Sequence, residues 1–268
     1  MVIKKIKKYI KIYLLLVKYS LIEITTYRVS FLVELAVELG YQGVSILFLN
    51  IVYSNVQEIA GWNFYDIIFL AGIDIITGEI LLGALSIFNL RTLPEKISSG
   101  SFDNILLKPL NCLFQASLGH PYVMSFISTI SGVYLIYYAL ANSTLTLNIS
   151  NLSIILFLLI CGFMIGYAIL VITASLSFRF INTSTFPTIG ERILFYKSNP
   201  HNIYHGTLKL IFFYIFPVVF ISSIPASAVI DGINIKYILS SFCTAVIFLF
   251  LAIKFWNKMT KYYSSASS

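Results

Sequence analysis

Leu90-Arg91-Thr92-Leu93-Pro94-Glu95-Lys96-Ile97-Ser98-Ser99-Gly100-Ser101-Phe102-Asp103-Asn104-Ile105-Leu106-Leu107-Lys108-Pro109-Leu110 separates two long apolar runs. It is too polar to span a bilayer, yet it is patterned to fold. Thr92 and Glu95 have capping-box spacing, and Pro94 suits a first helical turn. Gly100 is a natural helix stop. Phe102, Ile105 and Leu106 then share one face of a second short helix, which Lys108-Pro109 ends. The expectation is a helix, a glycine hinge and a half-apolar helix, lying outside the membrane and either gripped by another protein or resting on lipid headgroups as a plain amphipathic connector.

Outward from this loop the chain is greasy. Of 268 residues, 58% are hydrophobic and 11% charged, with mean hydropathy +0.88. Soluble domains carry about 25% charged residues. The composition therefore reads as an all-α polytopic membrane protein. Apolar runs of about 20 residues suffice to span. They predict six spans, at 29–52, 64–90, 115–140, 152–178, 207–224 and 237–256, with a polar loop at 91–114. Residues 1–28 precede them. Lys4, Lys8, Lys11 and Lys18 recur on one face there and Ile3, Ile6, Ile10, Leu14 and Val17 on another, the pattern of a basic interfacial helix. Residues 257–268 form a tail.

Topology follows from the cations. The N-terminus, the central loop, the Arg179–Lys209 segment and the C-terminus hold all 18 lysines and arginines except Lys236. The positive-inside rule then puts both termini and both long polar segments in the cytoplasm. The net charge of +7 is explained by topology and does not argue for nucleic acid. Within the second polar segment, Thr188 and Glu191 again have capping-box spacing, predicting a short helix over 189–197 that Asn199-Pro200 stops. Pro217 should break the fifth span, and Pro225 should end it or begin a re-entrant piece.

Signals for catalysis are sparse. No Walker-type glycine loop is present, so ATP hydrolysis by this chain is not expected. Cys112, Cys161 and Cys243 show no ligand spacing. His201 and His205 lie four apart but lack a third ligand, and no metal site is expected. The acids within the spans need an account, because each costs roughly 2.5–3.5 kcal/mol at a helix centre. Glu34 and Glu38 share a face of the first span, and Asp74 and Glu79 lie in the second. They either satisfy polar groups between helices, line a cavity, or couple transport to protons. No deep Lys or Arg partner is evident in the spans.

The loop just described resembles that of a known group. Leu93-Pro94-Glu95-Lys96-Ile97, Ser99-Gly100-Ser101-Phe102-Asp103 and Leu106-Leu107-Lys108-Pro109-Leu110-Asn111 are similar to the loop of permease subunits of type-2 ATP-binding-cassette exporters, in a six-span, long-uncharacterised branch. Asn199-Pro200-His201-Asn202-Ile203-Tyr204, Phe216-Pro217 with Ile224-Pro225-Ala226, and the basic N-terminal helix extend the likeness. Serines stand at 98 and 99 where that branch more typically has an arginine.

The resemblance implies a permease that pairs with a second, identical or homologous permease and with two separate ATPase subunits, which would bind the ATP and Mg. It places the chain in the inner membrane of a prokaryote, exporting a drug, antimicrobial peptide, lipid or other amphipathic molecule. Glu95, Lys96, Phe102, Asp103 and Lys108 would contact the ATPase, with Gly100 and Pro109 shaping the loop. Glu34, Glu38, Asp74, Glu79, Pro217 and Pro225 would serve the pathway and its external gate. The alternative is an ion-coupled secondary transporter using the same acids. A membrane enzyme built on His201, His205 and Glu191 is a further, weaker alternative.

Overall fold

A computed structural model describes residues 2–26, 28–83, 87–180 and 185–264. The described residues are helical, with one isolated β-bridge between Ile59 and Trp62. The chain runs through α1 (Val2–Thr26), α2 (Arg28–Tyr53), α3 (Phe64–Gly83), α4 (Ile87–Arg91), α5 (Leu93–Ser98), α6 (Asp103–Leu106) and α7 (Cys112–Leu118). It continues through α8 (Met124–Ala141), α9 (Ile149–Ser175), α10 (Thr185–Leu194), α11 (Gly206–Leu210), α12 (Ser223–Ile230) and α13 (Ile235–Met259).

Four helical stretches are long and apolar enough to cross a membrane: Arg28–Tyr53, Met124–Ala141, Asn151–Phe178 and Ile235–Tyr262. Helix α3 carries Asp66, Asp74 and Glu79 yet is the most enclosed of the long helices. It packs along α8, where the backbones at Gly72 and Gly132 approach so closely that a Cβ on either would lie within 2.8 Å of the other's carbonyl oxygen. Helices α9 and α13 form the second packed pair, closed at one end by Phe178 against Trp256. The second predicted span, 64–90, is interrupted. Helix α3 ends at Gly83, residues 84–86 lie outside the described set, and α4 follows. The third begins as a separate short helix, α7, before α8.

The bundle has two ends. The loop end holds α4 to α7. There Asn89 Nδ2 donates to the Ser117 and His120 carbonyls at 3.1 and 3.0 Å. The far end holds the turns after α2 and before α13, where Trp62 Nε1 donates to the Asp231 carboxylate at 3.2 Å.

The region from 179 onward departs from the expectation. Helix α10 starts at Thr185, so Thr188 lies inside it and forms no capping box. Glu191 faces Arg91 at the loop end, 3.9 Å away. Lys197 reaches Asp74, halfway along α3. His201 packs its ring against Trp62, and Asn202 Nδ2 lies 3.5 Å from the Ala60 carbonyl, both at the far end. Residues 185–204 thus run the length of the bundle as a broken helix. They do not form a loop at one end.

The predicted span 207–224 is correspondingly not a single crossing. Helix α11, a π-turn at Ile211–Ile215 and Pro217 lead inward from the far end. The chain turns at Ile221 and Ser222, and α12 returns it to Asp231. The turn lies on α9 at Gly162, where a Cβ would come within 2.9 Å of the Ile221 and Phe220 backbone. Pro217 and Pro225 thus both lie in one helical hairpin, which takes in the whole of the predicted 207–224 span. Cation counting treats Lys197 and Lys209 as loop-end charges; in the structure Lys197 is buried between helices and Lys209 lies beside Phe213 in the hairpin.

Candidate functional site: a seated loop and a polar junction

The 91–114 loop folds as a helix, a turn and a second helix. Thr92 precedes α5, but its hydroxyl donates back to the Asn89 carbonyl at 3.1 Å and makes no cap, so the predicted capping box is not formed. Pro94 does occupy the first turn. Gly100 takes φ +72°, a left-handed conformation that glycine reaches at little cost. This lets Phe102 N–H close onto the Lys96 carbonyl at 2.9 Å. A true cap appears further on, where the Asn111 side chain accepts from Phe114 N–H at 3.0 Å and starts α7.

The two faces of this loop differ. Leu93, Pro94, Ile97 and Phe102 are buried beneath it. Phe102 sits edge-on to Phe178 and Tyr263, with ring centroids 5.0 and 4.9 Å away. Asp103 accepts from the Tyr263 hydroxyl at 2.9 Å. Phe102 therefore has no face left for a partner; it fastens the loop to the ends of α9 and α13. Glu95, Lys108 and Pro109 are exposed, and Lys96 is half-buried. Leu106 and Leu107, 49% and 82% exposed, are the loop's large apolar groups in the open. Leu107 carried no distinguishing signal in the sequence, since its leucine neighbour has the same chemistry and only the turn geometry separates them.

The four acids expected to serve a pathway are not equivalent. Glu34 accepts from the Tyr122 hydroxyl at 2.7 Å, and Glu38 from Gln42 Nε2 at 2.9 Å. Glu38 and Glu79 line one cavity of about 270 Å³ together with Asp74, Glu191 and Lys197. A second, more apolar cavity of about 490 Å³ shares Gln42, Asp74 and Ser198 with it and extends along α2. The two make a furrow between α2 and α3.

Asp74 is the hub at the base of this furrow. Lys197 Nζ donates to its carboxylate and, at 2.8 Å, to its carbonyl. Ser198 and Ser222 hydroxyls reach the same carboxylate at 2.7 and 3.0 Å. Ser222 and Thr77 hydroxyls lie 2.8 Å apart. One carboxylate thus joins α3, the broken 185–204 segment and the inner turn of the hairpin. Pro217 and Pro225 are buried in that hairpin. The cationic partner missing from the predicted spans is Lys197, from the segment that the sequence places in a loop.

His201 does not meet His205 at a ligand site. Its N–H donates to Ser223 Oγ at 2.7 Å, and its ring lies among Trp62, Phe213 and Tyr237. No group of three or more His, Cys, Asp or Glu residues suited to a metal occurs among the described residues.

A bundle with four helices long and apolar enough to cross a membrane, and a structured loop at one end, is the architecture of an integral membrane protein. The chain belongs to the ABC-2 family transporter proteins, whose family model matches residues 39–267. No curated protein and no solved structure is similar enough to count as a match. The chain is accordingly a multi-pass, all-α membrane component of an ATP-binding-cassette transporter, the part that is not the ATPase.

Proposed function

We propose that this permease forms half of an export pathway, dimerises with an identical or homologous permease, and is driven by two separate ATPase subunits docked on the 91–114 loop. The observation that supports this most is the loop's division into a buried face rooted on α9 and α13 and an exposed face carrying Glu95, Leu106 and Leu107. A segment seated this firmly passes a push to the bundle and does not absorb it. In this reading the contact set is Glu95, Leu106 and Leu107, while Lys96 and Lys108 line a cavity beside α1. Phe102 and Asp103 root the loop, and Gly100 and Pro109 shape it.

The path of the motion follows from the contacts. Arg91 touches Glu191 on α10, α10 leads to Lys197, and Lys197 holds Asp74 beside the hairpin turn at Ser222. ATP-driven closure of the ATPases would shift this chain of elements and open the far end, with α11 to α12 as the gate. The furrow between α2 and α3, apolar along α2 and polar at its base, suits an amphipathic substrate. Six crossings are retained in this reading, with 185–204 as the fifth and α11 to α12 as a re-entrant hairpin. The loop end faces the cytoplasm. The ion-coupled alternative is weakened, since Lys197 already neutralises Asp74.

Co-purification with the cell's ATP-binding-cassette ATPases tests the docking. Wild type should retain an ATPase, and Glu95→Arg/Leu107→Asp should lose it while remaining folded. Retention of the same ATPase by this variant would remove the loop from the interface.

A further inference from the structure

A cavity of about 300 Å³ lies between α1 and the 91–114 loop. Its walls include Ile12 and Leu16 from α1, Lys96 and Lys108 from the loop, and Phe114 and His120 beyond it. Helix α1 is held over it by Tyr9, whose ring lies edge-on to Phe114 at 4.7 Å and whose hydroxyl accepts from Asn111 N–H at 3.0 Å.

The polar capacity of this cavity is lopsided. Gln115 Nε2 is spent on the Ile105 and Leu110 carbonyls, at 3.1 and 3.2 Å. Asn89 is spent on Ser117 and His120. Ser101 is engaged with Ser99 and the Lys96 carbonyl. His120 Nε2 already faces the Glu23 carboxylate at 3.2 Å. What remains is two ammonium groups. Lys96 has its stem half-buried, and among the described residues no hydrogen bond or ion pair closes on its nitrogen. Burial pushes its pKa down, and only its exposed neighbour Glu95 acts to raise it. Lys108 lines the same space from the far side of the turn. A half-buried cation whose one nearby counter-charge is an exposed carboxylate is incompletely compensated, so the cavity has room for an anion.

The remaining walls are apolar and belong to an interfacial helix. The opposite side of α1 leaves Ile6, Ile10 and Leu14 more than half exposed, at 53%, 54% and 61%, beside exposed Lys4, Lys8, Lys11 and Lys18. Such a helix rests in the headgroup layer. A small free anion would answer the two ammonium groups but leave Ile12, Leu16 and Phe114 uncovered.

We infer that this cavity binds the phosphate headgroup of an anionic phospholipid, with Lys96 and Lys108 on the phosphate and the first part of an acyl chain along Ile12, Leu16 and Phe114. The lipid would bridge α1 to the loop that precedes α7. This does not depend on the ATPase reading, because the bound state belongs to the permease alone.

Heat unfolding of the purified full chain in neutral detergent is the test, with added phosphatidylglycerol, phosphatidylcholine or inorganic phosphate. Phosphatidylglycerol should raise the midpoint well above the gain from phosphatidylcholine, and inorganic phosphate at equal concentration should give little. Lys96→Gln/Lys108→Gln should lose most of the phosphatidylglycerol gain. Lys8→Gln/Lys11→Gln, which removes the same charge from the exposed side of α1, should keep it. Lys108→Gln alone, at an exposed side chain, gives the same reading with reduced loss if the double variant does not fold. Equal gains from the two lipids would overturn the proposal, as would equal losses in the two charge-matched variants. Full protection by inorganic phosphate would mean an anion site that does not select lipid, and would overturn it too.

Discussion

Asp74 and Lys197 concentrate the physical problem of this chain. A charge buried among helices is tolerable only when paired, and losing one partner typically costs about 3–5 kcal/mol. Lys197→Met and Asp74→Leu should therefore each lower yield and unfolding temperature strongly. The double variant should recover much of the loss, because replacing a buried pair by apolar groups is often near neutral. Thermal unfolding of all three in one detergent checks this. Gly162 makes a second prediction. Gly162→Ala would push a Cβ into the Ile221 and Phe220 backbone. Backbone cannot yield as a side chain can, so a destabilisation of about 1–3 kcal/mol and a displaced hairpin are expected. In the sequence Gly162 is one small residue in an apolar run, spaced four from Gly166. That its neighbour would be a non-helical turn and not another span was not legible, because nothing local distinguishes the two.

The elements differ in how much of them the sequence disclosed. The helix, glycine turn and helix of the 91–114 loop were legible from Pro94, Gly100 and the apolar spacing, which are local signals. The capping box was not formed, since Thr92 turns back to Asn89. The 185–204 segment was misread because it satisfies its polar groups through contacts distant in sequence, at Asp74, Ser223 and Ala60. A hydropathy window cannot register partners that lie from 22 to 142 residues away. At this scale Phe102 carries the prediction. Phe102→Ala should cost about 3–5 kcal/mol if the loop root unfolds with the bundle. If the root releases locally, limited proteolysis should show the 91–114 loop cut faster while the helices stay protected. Cleavage at the wild-type rate, with unchanged stability, would mean the Phe178 and Tyr263 contacts do not root the loop.

On the proposed function the whole molecule is a transmission between two ends. The loop end carries the structured loop, α1 and the Arg91–Glu191 contact; the far end carries Trp62, Asp231 and the mouth of the hairpin. The membrane class and all-α character were legible from composition, because a chain with so few charges cannot form a solvated surface. The connection between the ends was not, because it runs through the broken segment. If transmission passes through Asp74, a complex containing Asp74→Asn should still bind its ATPases but hydrolyse ATP with reduced transport per ATP. Paired transport and hydrolysis rates in vesicles would show it, and proportional loss of both would argue against the junction.

The most direct test is the side of the membrane on which residues 201–205 lie. With Cys112, Cys161 and Cys243 replaced by Ser, Ser99→Cys and His205→Cys are labelled in intact cells with a membrane-impermeant maleimide. Both positions are exposed. The account predicts that His205→Cys is labelled from outside and Ser99→Cys only after the membrane is opened. Labelling of both only after opening would return 179–206 to the cytoplasm and contradict the fifth crossing, and with it the route from loop to hairpin.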